Sequence, residues 1–587
     1  MMGRRRTDPA SPPANRRSQQ AKPLPHPAPS LPFMGEFDYI VVGAGSAGAA
    51  LAARLGEAAD KTVCVIEAGG HDTHPFIHVP SFVAAAIGRE ATNWRFETVP
   101  QAGMAGRKIG VPRGKVLGGS GSINGMVYFR GHPTDYDDWA DAGCTGWSYA
   151  EVLPYFTRTE NNEDFPASVF HGRGGPINVK VVENPNPLNY AFMDALGSLQ
   201  FPACADFNGA NPEGYGRRQG LLRNGQRETT AKNMLRPAMA RGNIHVQTDA
   251  RVARVVVEQG CATGVQLTDG RVIRARGEVI LSAGAVQTPQ ILMLSGIGPA
   301  AHLRDMGIDV VLDAPGVGEN YHDHVASPLH METSDSTSYG ISWKAIGRDV
   351  FHFFQYLFTR KGPLAGNVFE SVAFLKTDPA LAKADVQFVF QPAKRLTNPK
   401  IPFPIGHGYA ISPVALYPKS RGTVRLASAD PEAAPLIDPN LLQDPEDIQP
   451  LIRALKIARA AFAAPSFGRY NGTEVLPGPD VDSDAGLDSY IRETGYTVHH
   501  PVGTCRMGSD AGAVVDPQLR VNGIKGLRIA DASVMPSIIG GNTNAPCVMI
   551  GERAADFILG KPPLPAAELP AESVARYKPK PKKKKAA

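Results

Sequence analysis

The sequence predicts an α/β protein with a Rossmann-like dinucleotide-binding domain and a second, substrate-facing domain. Three observations carry that reading. Near the start, a short apolar run stops at a glycine turn and is followed by a helix-forming stretch and a second apolar run. A glycine-rich segment of mixed composition occupies 104–131. Between 335 and 475 the texture changes to aromatic runs such as Phe351-His352-Phe353-Phe354 and proline-punctuated strands, and after 495 the glycine-rich texture returns. The 587 residues, 43% hydrophobic and 20% charged, suit about two intertwined domains and can enclose a cofactor.

Tyr39-Ile40-Val41-Val42 reads as a buried parallel strand because it is short, apolar and stopped at once by Gly43. Ala49 to Leu55 has helical propensity, and Thr62 to Ile66 reads as a second buried strand, completing a βαβ unit. Its turn carries Gly43-Ala44-Gly45-Ser46-Ala47-Gly48. Glycines there let the backbone close on a pyrophosphate, whose charge meets the helix N-terminus. Glu67 ends the second strand, where an acid that bonds a ribose hydroxyl is expected. These features do not separate NAD from FAD. The segment from Gly114 to Gly125 goes further: it holds too many glycines for the interior of an element and implies a backbone passing close to something flat. A flavin ring is such an object, and Val116, Leu117 and Ile123 argue that the segment is buried. Short β-like runs follow at 244–247, 252–258, 272–275 and 279–281, and a closing helix is expected at 546–559. The dinucleotide domain is thus expected from 36–190, 230–334 and 495–560, and the substrate domain from 191–229 and 335–494.

The formal net charge of +5 is unevenly spread. Residues 1–34 set Arg4, Arg5, Arg6, Arg16, Arg17 and Lys22 against Asp8 alone. Arg576, Lys578, Lys580 and Lys582 to Lys585 stand without an acid at the other end. The body between is net acidic, so no basic face is expected for nucleic acid. Both arms, 1–35 and the Lys-rich 561–587, are expected to be disordered. No apolar stretch follows Arg4 to Arg6, so no secretory or twin-arginine signal is read, and no run of ~18 apolar residues offers a membrane span. Cys64, Cys144, Cys204, Cys261, Cys505 and Cys547 show neither metal-type spacing nor a disulfide framework. No metal is expected, and the simplest setting is a reducing, cytoplasmic one.

Residues 114–137 resemble the first signature of the glucose–methanol–choline (GMC) oxidoreductases. The run from Gly284 to Gly298 resembles the second, and His499-His500-Pro501-Val502-Gly503-Thr504-Cys505-Arg506-Met507-Gly508 resembles the active-site segment. Asp531 to Pro536 and Gly541 to Pro546 resemble the closing FAD and active-site segments, in family order. Within the family, 72–80 and 416–422 are closest to dehydrogenases of aliphatic alcohols and polyethylene glycol that associate with membranes, with choline dehydrogenase more distant. The resemblance implies FAD as cofactor and an antiparallel sheet domain capping the flavin.

It also implies oxidation of a primary alcohol to the aldehyde. His500 matches the catalytic histidine that takes the hydroxyl proton while hydride leaves for flavin N5, a task that suits an imidazole near its ordinary pKa of ~6.5. Asn544 matches its partner, an amide that can donate to the developing alkoxide. Gly118, Ser120 and Asn124 are expected against the isoalloxazine, Val252 on the adenine, and Asp531 near the ribityl chain or pyrophosphate. Ala68, Gly125, Ala532 and Asn542 complete the expected cofactor contacts. Glu370 and His499 are expected at the substrate cavity, Glu370 either as a cation binder or as a satisfied structural acid. Covalent relatives attach FAD through a histidine at the position of Val111, so FAD is expected to be non-covalent here. Gly318 to His324 departs modestly from the family form and is expected to affect packing rather than chemistry. Electrons are expected to pass to a quinone or other acceptor, and the basic tail to touch the inner face of a membrane. The alternatives are an O2-using oxidase, a hydroxynitrile lyase or a fatty-acid photodecarboxylase, the last carrying cysteine where Leu416 stands. A flavoprotein that only binds is disfavoured by the pair His500 and Asn544.

Overall fold

β1 (Glu36–Val42), α1 (Ser46–Leu55) and β2 (Val63–Ile66) form the expected βαβ unit, with the strands parallel from Tyr39 opposite Val63 to Val42 opposite Ile66. The computed structural model describes residues 35–394 and 405–571, so the expectations for both basic arms lie outside the described residues, save Gly35 and 561–571. In the first sheet Ile244–Gln247 adds parallel to β2, and Val272–Leu281 adds parallel to β1. The runs expected at 272–275 and 279–281 are one ten-residue strand. Its polar middle, with Arg276 and Gly277 exposed, makes it read as two. Along its far edge, Cys261–Leu267 pairs antiparallel with the first half and Leu527–Ile529 pairs parallel with the second. Val252–Glu258 closes that side. Chain start, middle and end therefore share one sheet.

The closing helix, Asn544–Ile558, lies directly on α1. A Cβ on Gly551 would sit 2.3 Å from the Ala47 carbonyl oxygen, so small residues set this spacing. Beside the contact, Arg54 Nε at 2.8 Å and Arg158 Nε at 2.6 Å both donate to the buried Glu552 carboxylate. A charge out of water is tolerated when it is paired and hydrogen-bonded in this way.

The second sheet is antiparallel throughout. Thr473–Leu476, Leu329–Thr333, His407–Ala415, Val386–Gln391, Ser371–Leu375 and Gly214–Arg217 lie in that order, with Val325–Ala326 and Tyr496–Thr497 attached. Two expected boundaries are corrected: Val325–Ala326, Leu329–Thr333 and Tyr496–Thr497 belong to this sheet, not to the dinucleotide domain. Alternation along the strands decides what each face does. Phe388, Phe390, Tyr409 and Ile411 enter a core with the helix Gln449–Phe462, whereas Gln387, Val389, Gln391, Ser412 and Val414 face a cavity between the two sheets. The aromatic run Phe351 to Phe354 lies in a helix, Ile346–Thr359. All six cysteines are free, and among the described residues no helix is long and apolar enough to cross a membrane.

Candidate active site

The cavity between the sheets measures about 1490 Å³ and begins at the glycine turn after β1. Gly43 has φ +99°, and a Cβ there would lie 2.5 Å from the Ser282 carbonyl oxygen. Gly48 is held just as tightly, its added Cβ meeting the Gly43 carbonyl oxygen at 2.0 Å. Gly45 instead faces open space, with only Gly119 Cα at 4.0 Å. α1 starts there with no side-chain cap and no acid in its first turn. Its first N–H groups and the positive end of its dipole are therefore free for an anion. Glu67 accepts from Ala44 N at 3.0 Å and Gly69 N at 2.8 Å, and burial raises its carboxyl to about 7.

The second glycine segment lies against the first. Gly118 and Gly119 have φ +86° and +54°, and a Cβ on Gly119 would come within 2.8 Å of Gly45 Cα. Ser120 Oγ accepts from Gly114 N at 3.0 Å, and Asn124 Oδ1 accepts from Arg227 Nη1 at 2.7 Å. Of the expected cofactor residues, Gly43, Gly45, Ser46, Ala47, Glu67, Ala68, Ser120, Asn124, Gly125, Val252, Asp531, Ala532 and Asn542 line the cavity. Gly48 and Gly118 do not; they pack behind it. Asp531 reaches the lining, but its carboxylate is engaged by the protein, accepting from Gly284 N at 2.8 Å, Thr288 Oγ1 at 2.6 Å and Ser533 N at 2.8 Å.

Farther along the cavity, a chain of side chains surrounds the ring of His500. His324 Nε2 lies 3.0 Å from the Leu416 carbonyl oxygen, which can only accept, so the His324 proton sits on Nε2. His324 Nδ1 is then an acceptor and takes the Nδ1–H of His500 at 3.0 Å. That leaves His500 Nε2 with a lone pair, which receives the Asn542 side-chain N–H at 3.0 Å. Burial, then the neighbouring His324, His499 and Arg113, hold the His500 pKa well below its ordinary value. Asp323 Oδ1 accepts from the backbone N–H of His500 at 2.7 Å and of His324 at 2.8 Å, clamping both histidines with one carboxylate. Burial pushes the Asp323 carboxyl up to about 7.

Three expectations are corrected here. The amide beside His500 belongs to Asn542, not Asn544; Asn544 opens the closing helix and donates to Ser46 Oγ at 2.7 Å, at the glycine turn. Glu370 does not face the cavity. Its carboxylate accepts from Asn186 N at 3.0 Å, Asn189 Nδ2 at 2.6 Å and the Tyr339 hydroxyl at 2.7 Å, which makes it a satisfied acid behind the wall. The segment at 318–324 is not confined to packing, because it brings His324 and Asp323 to His500. His499 does line the cavity, at φ +67°, and burial lowers its pKa to about 3.

A glycine cradle opening on a bare helix N-terminus, an acid at the end of β2, and a polar histidine site beyond define a dinucleotide-binding oxidoreductase. The residues present fit FAD, and the cavity exceeds the ~300–1,000 Å³ of ordinary ligand sites, leaving room for a substrate beside it. Residues 37–326 and 418–551 match the N- and C-terminal family models described as GMC oxidoreductase, and the chain belongs to that family, whose members bind FAD. It is 43% identical over 530 residues to an alcohol dehydrogenase (acceptor) of Pseudomonas putida, covering 89% of this chain and 96% of the relative. Against an oxygen-dependent choline dehydrogenase of Sinorhizobium medicae the identity is 42% over 533 residues, covering 90% and 96%. Among solved structures, pyridoxine 4-oxidase from Mesorbium loti superposes with TM-score 0.79 at 32% identity, covering 88% and 98%. A formate oxidase variant of Aspergillus oryzae superposes with TM-score 0.82 at 27% identity, covering 90% and 99%.

Proposed function

We propose that the chain oxidises an uncharged primary alcohol to the aldehyde, with His500 as the base. The observation that carries this reading is the chain Leu416–His324–His500–Asn542, which leaves a neutral imidazole with its Nε2 lone pair at the cavity wall. An alcohol becoming an aldehyde loses a proton from oxygen and a hydride from carbon. The glycine cradle, the α1 N-terminus and Glu67 would hold FAD, which would supply the two-electron acceptor for that hydride. His500 Nε2 takes the hydroxyl proton, and the resulting imidazolium shares its Nδ1–H with His324. The Asn542 N–H beside Nε2 would donate to the alkoxide as that lone pair is used. Asp323 holds both backbones in register for the transfer.

An uncharged substrate is favoured by the lining. Glu370, the acid that could have met a cation, is fully engaged behind the wall. Asp349, which does line the cavity, is paired with Arg348 at 3.1 Å. Ile341, Phe353, Leu364 and Val389 supply an apolar wall. The resemblance to acceptor-linked dehydrogenases, with an alcohol dehydrogenase (acceptor) of Pseudomonas putida among the relatives, favours a quinone or other carrier as electron acceptor. Val111 is buried and carries no nucleophile, which supports non-covalent FAD. The cytoplasmic side of a membrane is the inferred location, with Lys578 to Lys585 attracted to anionic lipid. Anaerobic mixing with a panel of alcohols tests the reading. Aliphatic primary alcohols should bleach the flavin and choline should not; bleaching by choline alone would overturn the assignment of substrate class.

A further inference from the structure

The helix Ile346–Thr359 is amphipathic, yet its apolar side faces away from the protein. Globular helices normally turn the apolar stripe to the core. Here only Tyr356 is buried, its hydroxyl donating to the Gly225 carbonyl oxygen at 3.0 Å. Arg348, Asp349 and His352 line the cavity. With 3.6 residues per turn, Ile346, Val350, Phe353, Phe354 and Leu357 form one stripe, with Phe351 and Phe358 beside it. All seven are exposed, Phe351 at 62% and Phe358 at 79%, and Trp343 next to the helix is 92% exposed. An apolar surface of this kind marks an interaction site.

We propose that this face docks on an anionic lipid bilayer, seating the cavity mouth against the membrane. Charge selects that occupant. Between 341 and 362 the only acid is Asp349, and it is paired with Arg348. Lys344 before the helix and Arg360 and Lys361 after it stay exposed, so within this segment cations flank the apolar face at both ends. Phenylalanines and tryptophan on one side with lysine and arginine at the edges are the composition of a helix lying in a lipid interface. At ~1.5 Å per residue the helix is about 21 Å long, too short to span a bilayer and suited to lying along one. Ile341 and Phe353 are each about half exposed and also line the cavity, so the cavity reaches the surface at this patch. An apolar alcohol dissolved in the bilayer would enter without crossing water. That last step rests on the proposed function; the docking itself does not.

The test uses the full-length, FAD-loaded protein with vesicles of phosphatidylcholine and phosphatidylglycerol carrying brominated acyl chains, read by tryptophan fluorescence and pelleting. Trp139 and Trp147 are fully buried and Trp94 is part-buried in the cavity lining, so only the quenching that disappears in Trp343→Phe reports contact at the patch. The expected result is quenching that weakens but persists at high salt and survives deletion of everything after Ser573, and at least tenfold weaker vesicle binding for F351D/F354D/F358D. Turnover of a water-soluble alcohol with a dye acceptor should be unchanged in that variant. Absence of Trp343 quenching, or equal pelleting of the triple variant, would overturn the proposal. So would a dimer in lipid-free solution that the triple variant abolishes while vesicle binding is absent, because the face would then belong to a second copy. If the triple variant loses its flavin spectrum, the comparison of wild type with Trp343→Phe still decides.

Discussion

Asn542 and Asn544 stand two residues apart and point to different chemistry because the closing helix starts between them. Asn542 lies before the helix and gives its amide to His500; Asn544 is the first helical residue and gives its amide to Ser46. Asn542→Ala should slow anaerobic flavin reduction by about 10²–10³-fold, the usual cost of one donor to a developing oxyanion. Asn544→Ala should mainly loosen FAD, read as flavin lost on ultrafiltration. If Asn544→Ala instead produced the larger rate loss with FAD retained, the assignment of the two amides would be reversed. His500 was legible in sequence because its ten-residue segment matches a family pattern. His324 was not: it meets His500 across 176 residues, and no local spacing announces such a contact. Asn542 and Asn544 could not be told apart without the helix boundary.

The glycine turn and the second glycine segment work only as a contact pair. Gly119→Val would strain a residue at φ +54° and drive a Cβ to 2.8 Å from Gly45 Cα. The expected outcome is a protein that loses FAD and melts several degrees lower, measured by thermal unfolding with and without added FAD. Gly551→Leu should destabilise by about 1–3 kcal/mol through overpacking against α1, seen as a lower denaturant midpoint. An unchanged midpoint would mean that the two helices can separate at little cost. The βαβ unit was readable because apolar runs, glycines and a terminal acid coincide within a short stretch. The two-residue strands Val325–Ala326 and Tyr496–Thr497 are too short to carry a period, so the boundaries moved there, and Leu329–Thr333 moved with the first of them.

At the scale of the whole molecule, two sheets built from interleaved segments close over one cavity, so cofactor, base and substrate wall come from the start, middle and end of the chain. Acid precipitation should release intact FAD; flavin retained on the polypeptide would contradict the non-covalent reading drawn from Val111. Reduced enzyme should be reoxidised by a quinone analogue faster than by O2, and the opposite order would make it an oxidase. The central claim is that a neutral His500 accepts the substrate proton, and its most direct measurement is the rate of anaerobic flavin reduction by a primary alcohol across pH, in wild type and His500→Ala. Burial, with the Arg113 guanidinium nearby, lowers the His500 pKa, so the base form already dominates at neutral pH. The wild-type rate should therefore stay flat from neutral pH upward and fall only in acid, where the imidazole becomes charged. His500→Ala should keep the bound-flavin spectrum and lose at least ~10²-fold in rate, with the acid limb abolished. A His500→Ala enzyme that reduces its flavin at the wild-type rate, with the same acid limb, would contradict the account.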